Sequence, residues 1–169
     1  MPVHPLVAQL RFTRSEFLRA LAGVTDDEAR RRFEPMNCIS WMVGHLANQE
    51  NRYWVGVAQG KALLPELNDL VGFQKPASTP SLEEMWAAWR LVTTTADPYL
   101  DTLTPEVMAT HFEWKGKPVD ENVGTLVLRN IHHYWYHIGE ASAVRQLLGH
   151  KDLPQFVGDM TGVGYGPER

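Results

Sequence analysis

The sequence predicts an all-α protein, a four-helix bundle with a long crossover between its second and third helices. Two observations carry that prediction. Apolar side chains recur at the three- and four-residue spacing of a helix, and glycine- and proline-rich breaks separate four such stretches. The 169 residues, 44% apolar and 21% charged, have the size and composition of one globular domain, predicted to span residues 1–169.

The first half of the chain contains two of the four long helices, and glycine and capping residues mark its breaks. The first helix is expected to stop at Gly23. The segment Thr25-Asp26-Asp27-Glu28 has the form of a capping box, which predicts a short helix over 26–33. Over the whole chain the long helices are predicted at residues 6–22, 40–59, 81–97 and 122–148.

Residues 61–81 lose the helical period and contain three prolines and one glycine that disfavour a helix. They are therefore predicted to form the crossover as a loop. Thr79-Pro80 resembles an N-cap followed by a proline in the first turn of the third helix. Within that helix Pro98 is expected to cause a bend or an early end, because proline lacks the N–H that the helix needs.

Residues 104–121 are ambiguous, and the stretch from Trp114 to Val119 could be a turn between two short extended pieces. The last helix is the most regular of the four and is expected to stop at Gly149. The remaining tail contains four glycines and two prolines, so it is predicted to be irregular.

Charge and cysteine content exclude several classes of protein. Sixteen Lys and Arg against 20 Asp and Glu give a net charge of −4 with interspersed signs, which argues against a nucleic-acid-binding surface. The longest uncharged run, residues 35–49, is too short and polar to span a membrane. No signal peptide is recognisable, and the single cysteine, Cys38, fits a reducing compartment. A cytoplasmic location is therefore predicted.

Two histidines on the last helix form the first candidate site. His133 and His137 are four residues apart, so both imidazoles project from one face about one turn apart and could bind one metal ion. His132 points about 100° away and is a weaker candidate. The pair does not form a zincin motif, because Tyr134 stands where that motif needs glutamate. A pair alone also lacks the third protein ligand of a catalytic zinc site.

His45 is the candidate for a third ligand. It is predicted to lie in the middle of the second helix, where an unpaired buried imidazole would cost desolvation free energy. Its neighbour Gly44 is unfavourable in a helix interior and suggests a close approach to the backbone. A core histidine that is hydrogen-bonded to another helix is the alternative interpretation of His45.

Two segments together resemble a known family. The segment Ser40-Trp41-Met42-Val43-Gly44-His45-Leu46-Ala47, followed by Glu50, resembles the helix-two signature of the DinB-like (DinB/YfiT) metal-binding four-helix bundles. The segment His133-Tyr134-Trp135-Tyr136-His137-Ile138-Gly139-Glu140 resembles their last-helix signature. Their order and separation also agree, and the resemblance covers nearly the whole chain.

This resemblance implies that His45, His133 and His137 bind one divalent ion, most often zinc or nickel in that family. Members with known activity include thiol-dependent S-transferases, such as bacillithiol transferases, and mycothiol-dependent maleylpyruvate isomerases. The leading expectation is therefore a metal-dependent S-transferase or isomerase that uses a low-molecular-weight thiol. The alternatives are metal-assisted hydrolysis and a non-enzymatic, stress-related bundle that binds metal or small molecules.

Further residues are candidates for supporting roles. Glu140 could act as a catalytic base, and Arg129 and Arg145 could bind the carboxylates of a small thiol. Four polar residues flank the histidines and could orient the imidazoles. These are Asn48, Gln49, Asn130 and Glu140. Aromatic and sulfur-containing residues could line a substrate pocket or belong to the core. These are Trp41, Met42, Trp135 and Tyr136. The expected partner is a small molecule, and a homodimer is possible; nucleic acid and membrane partners are not expected.

Overall fold

The computed structural model of the chain describes residues 3–155 and 157–164. Within these residues the α-helices are, in chain order, Pro5–Ala20 (α1), Asp26–Arg30 (α2), Ile39–Glu50 (α3), Leu67–Val71 (α4), Leu82–Leu100 (α5), Pro105–Met108 (α6) and Val123–Leu147 (α7). One antiparallel hairpin, His111–Trp114 (β1) and Lys117–Asn122 (β2), precedes α7.

The four long helices form the bundle. Helix α1 packs against α7, and α3 packs against both α5 and α7. The apolar faces of these helices bury one continuous core. The predicted all-α fold is therefore confirmed, with the small hairpin as its only sheet in the described residues. In the same residues no helix combines the length and the apolar character needed to cross a membrane.

The first two helices follow their sequence signals closely. Gly23 has a φ of +79°, a backbone conformation that glycine adopts without strain, and it follows the end of α1. At the start of α2 the Thr25 side chain accepts from the Glu28 N–H, and the Glu28 side chain accepts from the Thr25 N–H. The predicted capping box is thus present. The helix ends at Arg30 and not at residue 33, because Arg31 is already extended.

The second long helix is not α-helical throughout. After α3 the chain continues without a break as a π-helix over Asn51–Val57, whereas a single helix was predicted over 40–59. The wider π winding changes which side chains face the core. Trp54 is buried, whereas Arg52 is exposed. The short π-helices of proteins are frequent at functional sites.

The crossover contains a helix that its composition does not predict. Helix α4 buries Leu67 and Val71 against α3. A Cβ atom on Gly44 would lie 2.3 Å from Met85 Sδ and 3.1 Å from Val71 Cγ1. Gly44 therefore lets α4 and α5 approach the backbone of α3, as its position in a helix interior suggests.

The third long helix differs from its prediction at both ends. Ser81, and not Thr79, caps α5, because the Ser81 hydroxyl accepts from the Glu84 N–H. The helix also continues through Pro98 to Leu100. Leu100 is fully buried, so burial of the last turn offsets the hydrogen bond that Pro98 cannot donate.

The ambiguous segment before the last helix forms α6 and the hairpin. Trp114 pairs with Lys117 in the strands, and the turn between them has positive φ angles at Lys115 and Gly116. The predicted turn between two extended pieces is therefore confirmed. Beyond Gly149, the described part of the tail has only one short 3-10 turn, Thr161–Val163. Residue 156 and residues 165–169 of the predicted irregular tail lie outside the described residues.

A buried charge network joins the long helices. Arg14 of α1 donates to both carboxylate oxygens of Glu50 in α3. Its Nε lies 2.9 Å from Oε1, and its Nη2 donates to Oε2. Tyr134 of α7 donates to Glu50 Oε1 at 2.6 Å, and Trp89 of α5 donates to the Tyr134 hydroxyl at 2.6 Å. Glu50 and Tyr134 directly follow Gln49 and His133. The network therefore holds in register the two helices that carry the predicted site.

Candidate metal centre

The three histidines predicted as ligands converge between α3 and α7. Their ligand atoms all lie within 4.8 Å of one another. The Nε2 atoms of His133 and His137 are 3.0 Å apart. Two ligands that each lie about 2.0–2.1 Å from one ion can be about 4.2 Å apart at most. The cluster thus has nearly the dimensions that one ion needs.

His45 is held by the crossover and by a neighbouring aromatic ring. Its Nδ1 lies 2.8 Å from the backbone oxygen of Val71 in α4. Because a carbonyl oxygen can only accept, Nδ1 carries the proton and Nε2 has a free lone pair. The Trp41 ring stacks on the imidazole at a centroid distance of 4.3 Å, which fixes the plane of the ring.

His133 is oriented by a chain of amides that begins at an indole. Trp54 Nε1 lies within hydrogen-bond distance of Asn130 Oδ1, and Asn130 Nδ2 lies within that distance of Gln49 Oε1. His133 Nδ1 lies 2.7 Å from the same Gln49 oxygen.

The direction of every hydrogen bond in this chain follows from Trp54, because an indole N–H can only donate. Asn130 must present its oxygen to Trp54 and therefore its NH2 group to Gln49. Gln49 then presents its oxygen, which also accepts from His133 Nδ1. His133 is thus held with its proton on Nδ1 and a free lone pair on Nε2.

His137 is oriented by a carboxylate on its own helix. Its Nδ1 lies 2.7 Å from Glu140 Oε2, three residues further along α7. The carboxylate accepts the Nδ1 proton, so in the neutral imidazole Nε2 has a free lone pair. Glu140 therefore positions a ligand. That Glu140 also acts as a catalytic base stays a prediction.

These three tautomers make the cluster fit a cation. With the proton of each imidazole on Nδ1, the close Nε2 atoms of His133 and His137 face each other with lone pairs only. Burial lowers the pKa of His133 to about 3, with further lowering by the imidazoles of His137 and His45. Burial also lowers the pKa of His45. Since protonation of His45 and His133 is disfavoured, a divalent ion is a partner that suits the neutral nitrogen donors of the cluster.

A cleft of about 830 Å³ opens in front of the cluster. His45 and His133 contribute to its lining, whereas His137 is only 5% exposed and lies behind them. One wall comes from the crossover, a second from the π-helix and a third from α7. The other lining residues are Asn48, Gln49, Arg52, Tyr53, Asn68, Phe73, Glu121, Thr125, Leu128, Arg129, His132 and Tyr136.

The two arginines predicted to bind a cofactor lie in different places. Arg129 lines the cleft but forms a two-pronged ion pair with Glu121. Arg145 lies 16 residues, or more than four turns, further along α7, where it donates to His150 Nδ1 at 3.0 Å and to the backbone oxygen of Ala20. The structure therefore does not bring Arg145 to the cleft, and these contacts give it a structural role.

Of the four residues predicted to orient imidazoles, Gln49 and Glu140 contact them directly and Asn130 acts through Gln49. Asn48 instead donates to Asn68 Oδ1 at 3.2 Å. Of the residues suggested for a pocket, only Tyr136 lines the cleft. Met42 is in the core, Trp41 stacks on His45, and Trp135 packs against Phe12.

Two functional contacts were missed from the sequence. The Val71 backbone oxygen has no signature of its own, because every residue has a carbonyl group. Its only indirect signal is Gly44, whose missing side chain admits α4. Trp54 fits the apolar pattern of its helix, and a regular helical period does not reveal the π winding that turns it toward Asn130.

Replacing Gln49 by leucine is expected to weaken metal affinity by about 10–100-fold, the usual effect of losing a residue that orients a ligand. The leucine removes the acceptor that keeps the proton on His133 Nδ1. Gln49→Glu keeps an acceptor and should retain most of the affinity. Asn48→Leu is the matched control. Competition with a coloured chelator measures the affinities, and equal affinity in Gln49→Leu and wild type would contradict the proposed orientation.

Metal binding is expected to persist at mildly acidic pH. Two ordinary imidazoles with pKa values near 6.5 would each be about 90% protonated at pH 5.5, which would weaken the affinity roughly 100-fold. The lowered pKa values of His45 and His133 mean that protons compete poorly for their Nε2 atoms. Cobalt titrations followed by absorbance at pH 7.5 and 5.5 should therefore differ much less. A loss near 100-fold would show that the two imidazoles titrate normally.

The chain is similar to a known protein family. A family model described as the DinB superfamily matches residues 9–141. The matched range contains His45, His133 and His137 together with the residues that orient them. No curated protein matches the chain. Because the family model covers well over half of the 169 residues, the chain belongs to the DinB superfamily.

Proposed function

We propose that this protein is a metal-dependent enzyme that transfers or isomerises groups through a low-molecular-weight thiol. In this proposal His45, His133 and His137 hold one divalent ion, zinc or nickel. The observation that carries it is the convergence of three free Nε2 lone pairs beside a solvent-open cleft. The chain resembles the DinB-like family, whose members include thiol-dependent S-transferases and mycothiol-dependent maleylpyruvate isomerases. This resemblance supports the choice of reaction.

The donor set suits thiol chemistry. A divalent ion held by neutral imidazoles retains its full charge, and the chemistry it supplies is stabilisation of a thiolate near neutral pH. His45 and His133 line the cleft, so a ligand in the cleft can reach the point where the three Nε2 atoms meet. Gln49, Glu140 and the Val71 backbone oxygen keep the protons on Nδ1, so all three Nε2 atoms remain available.

The thiol must come from another molecule. Cys38 is the only cysteine of the chain, and its side chain is fully buried. Its Sγ contacts Ser40 Oγ at 3.3 Å and the Ser78 backbone oxygen at 3.5 Å. Cys38 also does not line the cleft. A small thiol that enters from solvent is therefore the nucleophile in this proposal.

Metal-assisted hydrolysis is the second candidate, and the carboxylates near the site favour it less. Hydrolysis commonly needs a general base that accepts a proton from water. Glu140 is bonded to His137, and Glu121 is paired with Arg129. Each carboxylate thus already accepts from a neighbouring side chain, and Glu140 does not line the cleft. The third candidate is a non-enzymatic bundle that binds metal or small molecules. The experiment below distinguishes it from the two enzymes.

The test is conjugation of a fluorogenic electrophile to bacillithiol, mycothiol or glutathione by zinc- or nickel-loaded protein. The rate should fall to the uncatalysed level with chelator, return when metal is added, and be absent in His133→Ala. His111→Ala, which changes an exposed histidine of β1 outside the cleft, is the matched control and should keep most of the activity. Turnover of esters or amides without thiols would favour hydrolysis, and no metal-dependent turnover on any substrate would favour the binding protein.

A further inference from the structure

We propose that the cleft binds small molecules that combine an aromatic or other apolar body with a carboxylate, and that Arg52 holds the carboxylate. This ligand class concerns the substrate of the same site and so rests on the proposed function for its biological meaning. The binding itself depends on residues outside the metal cluster. It can therefore be measured without metal and without turnover.

The two arginines of the cleft differ in their charge balance. Arg129 is paired with Glu121, so the two charges cancel. Arg52, on the π-helix, forms no ion pair with any carboxylate in the described part of the chain. Its guanidinium lies 5.5 Å from the centroid of the Tyr53 ring. The cleft therefore contains one uncompensated positive charge, held beside an aromatic ring.

A second feature of the cleft is its exposed apolar surface. Phe73, on the crossover, is 78% exposed, and Tyr136 on α7 is 70% exposed. Leu128, also on α7, is 39% exposed. All three line the cleft, so apolar groups lie on both the crossover wall and the α7 wall. Exposed apolar side chains that gather at one concave site are typical of ligand pockets.

Polar groups between these features can orient a ligand. Asn68 lies on the crossover wall and accepts from Asn48 through Oδ1. Its NH2 group has no acceptor within residues 3–155 and 157–164. This NH2 group and the Arg52 guanidinium both line the cleft and only donate hydrogen bonds, so each suits an anionic oxygen of a ligand there. A guanidinium binds a carboxylate with two parallel hydrogen bonds, which gives direction as well as attraction.

The ion site adds to the same charge preference. The three imidazole ligands are neutral, so they contribute no negative charge to balance a divalent ion. Within the cleft the remaining charges are Arg52, Arg129 and Glu121. Their sum is positive with or without the ion. An anionic ligand therefore matches the cleft, whereas a cationic ligand would meet repulsion from Arg52.

The experiment compares 3-phenylpropionate with 3-phenylpropionamide, which have nearly the same shape but differ in charge. Binding to metal-free protein is measured by NMR titration at fixed ionic strength. The acid should bind about tenfold more tightly than the amide, and the preference should decrease with salt. Arg52→Gln should abolish the preference. Arg90→Gln, which changes an exposed arginine of α5 outside the cleft, should retain it.

The apolar half of the proposal has its own variant. Phe73→Ser should weaken the binding of the acid and of the amide by similar factors, because both ligands lose the same apolar contact. Equal affinities of acid and amide for the wild-type protein would overturn the proposal, as would an undiminished preference in Arg52→Gln. Since the protein is free of metal, these outcomes do not depend on thiol chemistry. A failed thiol-conjugation assay with intact acid binding would overturn the proposed reaction alone.

Discussion

Replacing His133 by alanine is expected to remove the divalent ion from a protein that otherwise holds about one ion per chain. The variant loses one of three nitrogen ligands and leaves Gln49 without the imidazole that it orients. Loss of an orienting residue alone typically costs 10–100-fold in affinity. Loss of the ligand itself should therefore cost at least about 100-fold. Metal analysis of untagged protein after dialysis against a weak chelator measures the difference.

His132→Ala is the matched control for this prediction. His132 precedes His133 and lines the same cleft, yet it does not belong to the three-histidine cluster. The control should retain its metal, and His45→Ala and His137→Ala should behave like His133→Ala. A double variant of His45 and His137 that kept a full equivalent of metal would show that the ion binds elsewhere.

The parts of the fold that the sequence predicts best are those where local signals agree. For α7, a helical period and a stop at Gly149 coincide, and the observed helix matches the predicted one within a residue at each end. The capping box at Thr25 and the turn at Lys115-Gly116 are also local, since a few adjacent residues supply every hydrogen bond involved.

The parts that the sequence predicts poorly depend on distant contacts. Pro98 is a local stop signal, but burial of Leu100 against the bundle outweighs it. Helix α4 has only five residues and too little periodicity for recognition, and it is held by its contacts with α3. The π-helix differs from an α-helix in its winding, and the spacing of apolar residues hardly distinguishes the two over so short a segment.

The candidate site divides in the same way. His133 and His137 share a helix face, so their spacing is readable in the sequence, and the family resemblance adds His45. The groups that determine the tautomers are less accessible to sequence reasoning, because one is a backbone carbonyl of Val71 and another is the distant indole of Trp54. Arg52 is brought to the cleft by the π-helix, for which no local signal was recognised.

The second large effect is expected in the buried charge network, where Arg14→Met should destabilise the fold by about 3–5 kcal/mol. The Arg14 side chain is 6% exposed and that of Glu50 is fully buried. Burial alone lowers the pKa of Arg14, but the Glu50 carboxylate more than reverses this and raises it. Without the guanidinium, Glu50 would keep the Tyr134 hydroxyl as a donor but would have no compensating charge.

The measurement is chemical denaturation of metal-free protein, and Arg11→Met is the matched control. Arg11 lies three residues earlier on α1 and pairs with Asp97 and Asp101, but its side chain is 32% exposed. Its loss should therefore cost about 1 kcal/mol or less. For a chain of this size each kcal/mol lowers Tm by roughly 2–4 °C, so the two variants should be clearly separated in a thermal scan as well. Adding Glu50→Gln to Arg14→Met removes the unpaired charge and should restore part of the stability. If Arg14→Met were no less stable than Arg11→Met, the buried pair would not be what holds α1 and α3 together.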